Sequence, residues 1–134
     1  MSINNPYQTY KNNTTVTASP GELTLMLYDG CIKFVNHAKK AIENKNIGDK
    51  NLYIQKSQNI IQELMVTLKM EYPISKNMMS LYDYINRRLI EANIRSDVSI
   101  LEEVEELVTE FRDTWKQVIQ LNRQKKYASN DGQA

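Results

Sequence analysis

A chain of 134 residues with 41% hydrophobic and 25% charged residues suits one globular domain that buries a core without metals or disulfides, and it is too apolar for a disordered chain. Lys and Arg number 17 against 16 Asp and Glu, and this +1 balance carries no electrostatic footprint for nucleic acid or an acidic membrane. The single cysteine, Cys31, cannot close an internal disulfide, no apolar run approaches the ~20 residues of a membrane span, and residues 1–6 lack the basic-then-apolar pattern of a signal peptide, so the expected compartment is the cytosol.

Residues 1–18 are polar, carry Pro6 and show no helical period, yet Ile3, Tyr7, Tyr10 and Val16 space apolar groups through them. They read as an N-terminal arm, either solvated or packed on the body. The first helix is expected over 20–43. Ser19-Pro20-Gly21-Glu22 places Ser at the N-cap, Pro at the first helical position and Glu three residues after the cap, a capping box that satisfies open backbone N–H groups. Turn residues from Asn44 to Asp49, Gly48 among them, end it. The second helix is expected over 50–70, with Ile54, Ile61, Leu64, Met65 and Leu68 on one stripe and Pro73 as its stop. The third is expected over 76–94, capped by Ser75, with Met78, Leu81, Tyr82, Ile85, Leu89 and Ala92 on one face. The fourth is expected over 98–124, capped by Asp97 or Ser99. Leu101, Val104, Val108, Phe111, Trp115 and Val118 recur three and four apart along it, a coiled-coil-like seam. Residues 127–134 read as a disordered tail. Short connections make sequential helices antiparallel neighbours, so residues 19–126 predict an all-α, antiparallel up-down four-helix bundle on which the arm can pack.

No constellation for catalysis appears. His37 is the only histidine, so neither a multi-histidine zinc site nor a Glu-x-x-His di-iron site is available. Cys31 lies six residues from His37 on another face of the same helix and reads as a small buried hydrophobe. The expectation is a non-enzyme without cofactor or metal. One alternative is a histidine phosphotransfer module using His37, because such four-helix modules carry an exposed mid-helix His followed three residues later by Lys, here Lys40. They usually have Gly at the position of Ala41. The acidic run Glu102, Glu103, Glu105, Glu106 and Glu110 reads as a solvated face near a helix N-terminus.

The first helix carries more apolar surface than one core stripe needs. Leu23, Met26, Leu27, Gly30, Phe34, Ala38 and Ala41 form one stripe, while Leu25, Tyr28, Ile32 and Val35 form a second. The second stripe is read either as deeper burial beneath the arm or as a groove for a partner's amphipathic segment. The candidate binding residues are therefore Tyr7, Tyr10, Leu25, Tyr28, Ile32 and Val35.

At these same residues the chain resembles the flagellar secretion chaperone (FliS) family. The run Thr17 to Gly30, TASPGELTLMLYDG, resembles the family signature at the start of the first helix, and Tyr7 to Tyr10 its tyrosine-bearing arm. Leu81-Tyr82-Asp83-Tyr84-Ile85, Arg88-Leu89, Ala92-Asn93 and Asp97 resemble its third helix and following turn, and Glu103-Val104 with Phe111-Arg112-Asp113-Thr114-Trp115 its fourth. Two positions depart conservatively: Cys31 where a small residue such as Ala is usual, and Phe111 where Leu is usual. The resemblance covers nearly the whole chain. It implies a cytosolic export chaperone that binds the disordered C-terminal region of flagellin, prevents premature polymerisation and delivers the subunit to the flagellar type III export apparatus, without nucleotide or metal. It leaves open secondary partners such as other flagellar regulators, and implies neither nucleic-acid binding nor membrane insertion.

Overall fold

The computed structural model describes residues 19–133, with side chains described for Ser19 and for 21–125. Among these residues there are four helices and no strand: α1 (Pro20–Glu43), α2 (Ile47–Thr67), α3 (Ser75–Arg95) and α4 (Val98–Gln133). The arm, residues 1–18, lies outside the described residues.

Local capping sets most boundaries. Ser19 is extended (φ −67°, ψ 162°), and its hydroxyl accepts from the Glu22 N–H at 3.2 Å, so α1 starts where the capping box puts it. The chain leaves α1 through Lys45, at a left-handed φ of 58°. α2 then begins three residues before the predicted start. Asn46 is its cap, accepting the Asp49 N–H at 3.0 Å and donating its side-chain amide to the Asp49 carboxylate at 2.9 Å, which draws Gly48 into the first turn instead of a loop. α2 also stops sooner than Pro73 requires. The β-branched Val66 and Thr67 close it, and the Thr67 hydroxyl donates back to the Glu63 carbonyl at 2.9 Å. Ser75 is not the cap of α3. Ile74 holds that position, and the buried Ser75 hydroxyl donates to the Lys69 carbonyl, pinning the preceding turn.

α3 ends at Ser96 in the left-handed region (φ 49°). Its last carbonyls meet an unusual partner, the buried Lys50 of α2. The Lys50 ammonium donates to the Asn93 carbonyl at 2.8 Å and to the Ser96 hydroxyl at 2.9 Å, a cation placed on the negative end of a helix. Asp97 caps α4 by accepting from the Ser99 N–H at 2.9 Å and the Ser99 hydroxyl at 2.6 Å, bonds that hold its carboxyl below the usual carboxylate range. α4 continues to Gln133, past the predicted end and through the stretch read as a tail. Residues 121–133 contain no proline and are mostly good helix formers, and Gly132 comes only at the end.

The four helices close a ring, α1 and α3 each packing against both α2 and α4. Cross-helix contacts run in opposite chain directions. His37 meets Tyr53 between α1 and α2, Lys50 meets Asn93 and Gln58 meets Asn86 between α2 and α3, and Tyr82 meets Phe111 while Arg88 meets Glu103 between α3 and α4. Between α4 and α1, Trp115 meets Gly21 and Glu105 meets Lys39. This is the antiparallel up-down bundle. Its core is built from Leu27, Val35, Ile54, Ile61, Ile85, Leu89, Leu101, Val104 and Val108, each almost fully buried. Burying such a side chain contributes about 1.5–3 kcal/mol, and truncating one leaves a cavity that adds to the loss. Leu89→Ala, on the buried face of α3, is expected to lower the free energy of unfolding by about 2–5 kcal/mol in urea titration.

Candidate functional site

One stretch of the α3–α4 seam is tied by polar side chains, and another lines an apolar groove. In the tied stretch the Glu103 carboxylate accepts from the Tyr84 hydroxyl at 2.7 Å and from Arg88 Nε at 2.8 Å, while Arg88 Nη1 reaches Glu91 at 2.6 Å. These donors hold the Glu103 carboxyl below its ordinary range. Towards the start of α3, a groove of about 390 Å³ separates the two helices. Ile74, Asn77, Met78 and Leu81 line one wall; Leu107, Glu110, Phe111, Thr114, Trp115 and Val118 line the other; Tyr28 of α1 lies at its base. Ile74 is 59% and Leu81 41% exposed, a high value for large apolar side chains beside a core.

Aromatic groups brace this end of the bundle. The Tyr28 and Tyr82 hydroxyls share a buried hydrogen bond of 2.6 Å. Phe111 stacks on Tyr28 (centroids 5.8 Å, 15°) and tilts against Tyr82 (5.3 Å, 40°), so three helices meet in one ring cluster. Burial pushes both phenols above the ordinary tyrosine range, and for Tyr28 the neighbouring Tyr82 adds to the rise. Trp115 is fixed from the other side, its indole Nε1–H donating to the Gly21 carbonyl at 2.7 Å in the first turn of α1.

The residues singled out from sequence fall in three places. Tyr7 and Tyr10 lie outside the described residues. Leu25 and Ile32 are half-buried. Tyr28 and Val35 are 1% and 0% exposed and belong to the core. The second stripe of α1 is therefore not an open surface. α1 sits between α2 and α4 and needs an apolar stripe for each neighbour; Tyr28 uses the second to meet Phe111. Of the four described, only Tyr28 lines the groove. The groove's other lining residues were visible in the sequence only as the far ends of the α3 and α4 stripes, with Leu81 beside Tyr82 as the sign that the α3 face is wider than one core stripe.

Reactive chemistry is sparse. Cys31 is buried, and burial pushes its thiol up to about 12 from 9.0. His37 is exposed and stacks on Tyr53 at 4.8 Å. Among the described residues no group of three or more His, Cys, Asp or Glu is placed to hold a metal ion, and no helix is long and apolar enough to cross a membrane.

An all-helical bundle with an apolar groove is the kind of protein these features define. The chain matches the family model described as flagellar protein FliS over residues 3–122, and it belongs to that family. It is 52% identical to the flagellar secretion chaperone FliS of Bacillus subtilis over 129 residues, covering 96% of this chain and 97% of the relative. It is 36% identical to the flagellar secretion chaperone FliS of Escherichia coli over 108 residues, 78% of this chain and 79% of the relative. The Campylobacter jejuni protein of the same name is 28% identical over 120 residues, 88% of this chain and 94% of the relative.

The paired phenols generate a prediction. Tyr28→Phe strands the Tyr82 hydroxyl in the core and is expected to cost about 1–3 kcal/mol, whereas Tyr28→Phe with Tyr82→Phe costs less than the sum of the single changes. Because the folded state raises both phenol pKa values, the stability they contribute is complete below pH 10 and is lost as the pH climbs beyond it. Urea titrations of wild type and the double variant across that range should show the steeper alkaline loss in wild type.

Proposed function

We propose that this chain is a cytosolic flagellar export chaperone whose α3–α4 groove receives an amphipathic helical segment from the disordered C-terminal region of flagellin. The observation that carries this reading is the groove itself, an apolar channel open to solvent in a member of a family whose relatives are named flagellar secretion chaperones. It works by occupancy. A client segment held on the bundle is withheld from the interhelical packing of a filament, so the subunit stays unpolymerised until it is handed to the flagellar export apparatus. No bond in the client is made or broken, and no cofactor is involved.

The energetics favour a long, wrapping client. Each large apolar side chain that leaves water contributes about 1.5–3 kcal/mol, while ordering a disordered segment costs about 2–5 kcal/mol. Three or four anchors in the groove offset that cost, and contacts beyond it supply the remaining affinity. Half-buried Leu25 and Ile32 on α1 offer such outlying contacts. The described residues begin at Ser19, beside the Gly21–Trp115 bond at the rim, and Tyr7 and Tyr10 remain proposed as residues that guard the client site or extend it. The phosphotransfer alternative gains no support from His37, whose ring is stacked on Tyr53.

The test is calorimetric titration with a peptide spanning the C-terminal region of the same organism's flagellin, followed by circular dichroism. One-to-one binding with a gain of helix and a negative heat-capacity change is expected. Leu81→Asp alters a half-exposed wall of the groove rather than the core, so it should melt as wild type does yet bind about tenfold more weakly or worse. A folded Leu81→Asp protein with undiminished affinity removes the groove as the client site, and a peptide that does not bind at all removes the C-terminal region of flagellin as the client.

A further inference from the structure

The α1–α2 seam lies opposite the groove, because α1 and α3 are each flanked by α2 and α4. It carries a cluster of cations that the chaperone reading does not use. Lys33 Nζ and Lys56 Nζ stand 5.8 and 5.4 Å from the centre of the same Phe34 ring, and Lys56 Nζ is also 5.4 Å from the centre of Tyr53. His37 stacks on the other partner of that pair, Tyr53, at 4.8 Å and 23°. Lys40 follows His37 by one turn on the exposed side of α1. Among the described residues none of Lys33, Lys40 and Lys56 forms an ion pair. Lys39, which points round the helix towards α4, is by contrast neutralised by Glu105 at 2.8 Å.

Two ammonium groups held near one ring make a local positive patch that attracts an anion. Their attraction to the ring faces holds them in place beforehand, so an incoming carboxylate meets cations that have little conformational freedom left to lose. Three lysines and a histidine on a chain of net charge +1 are too short a track for a nucleic-acid backbone, whose binding grows with the number of phosphates neutralised. They match a short run of carboxylates, and the Phe34 and Tyr53 rings between them supply an apolar floor. We propose that the α1–α2 seam, centred on Lys33, Lys56, His37 and Lys40 over Phe34 and Tyr53, docks an acidic segment of a partner protein. Its position leaves the groove free, so the chaperone holds client and partner at the same time on opposite faces.

The proposal is tested by titrating the isotope-labelled full chain with an oligoglutamate peptide, an oligouridylate and inorganic phosphate while backbone amide resonances are followed. Oligoglutamate is expected to shift the amides of Lys33, His37, Tyr53 and Lys56 in a saturable, salt-sensitive way. Lys33→Gln with Lys56→Gln should weaken this binding about tenfold, as Lys40→Gln should to a smaller extent, and filling the groove with the flagellin segment should leave it unchanged. The proposal fails if the shifts spread equally to lysines elsewhere, such as Lys76 and Lys116, or if the double variant binds as wild type does. Tighter binding of oligouridylate at the same residues would make the seam a nucleic-acid site, and equal binding of phosphate alone would make it a small-anion site; either result overturns an acidic protein partner. Loss of oligoglutamate binding when the groove is filled would overturn the opposite-face arrangement. The titration of the free chain reads the seam whatever the client in the groove proves to be.

Discussion

The hydrogen bond between Tyr28 and Tyr82 spans the bundle diagonally, joining α1 to α3, two helices that otherwise meet through their shared neighbours. Phe111 of α4 lies against both rings. Long aromatic side chains fill the interior at this level. Towards the other end the core position on α1 is Ala38 and that on α3 is Ala92, both fully buried, and Glu103 of α4 takes Tyr84 and Arg88 of α3. The groove between α3 and α4 lies over the aromatic cluster, with Tyr28 among its lining residues.

This layering reconciles stability with an exposed apolar surface. The core below the groove is complete without a client, since Tyr28, Tyr82 and Ile61 are almost fully buried as they stand. The groove walls are a separate layer above it. Trp115 is fixed to the first turn of α1 through Gly21, and Ser75 anchors the turn that leads into α3. These contacts hold the walls in place beforehand, which lowers the ordering cost of binding on the chaperone's side. The polar members of the lining, Asn77, Glu110 and Thr114, are few among apolar neighbours, an arrangement suited to an amphipathic helix rather than to a small polar ligand.

How much of this was legible in the sequence follows the range of the interactions concerned. The start of α1 depends on Ser19 and Glu22, three residues apart, and the capping box declares it. The start of α2 depends equally on a local cap, yet Asn46 stands beside Lys45 and Gly48 in a stretch whose composition reads as loop, so the cap was hidden by its neighbours. The antiparallel bundle follows from helix number and short connections. The role of the second α1 stripe does not, because periodicity records that a face is apolar without recording whether a neighbour or solvent covers it; Tyr28 and Val35 turned out to face the interior. The groove was least legible of all. It lies over a hydrogen bond between side chains 54 residues apart, which leaves no local pattern in the sequence. The surplus apolar stripe of α1 and the family resemblance both supplied the expectation of a protein-binding role; the open groove in the structure lies between α3 and α4.

The central claim is that the client lies between α3 and α4 above the tyrosine pair. Amide hydrogen exchange on the full chain, with and without the flagellin C-terminal segment, tests it most directly. The account predicts new protection concentrated in residues 74–81 and 107–118, with the α1–α2 seam around Lys33 and Lys56 exchanging as before. Protection centred on that seam, or a pattern that leaves both groove walls unchanged while the client is bound, would contradict it.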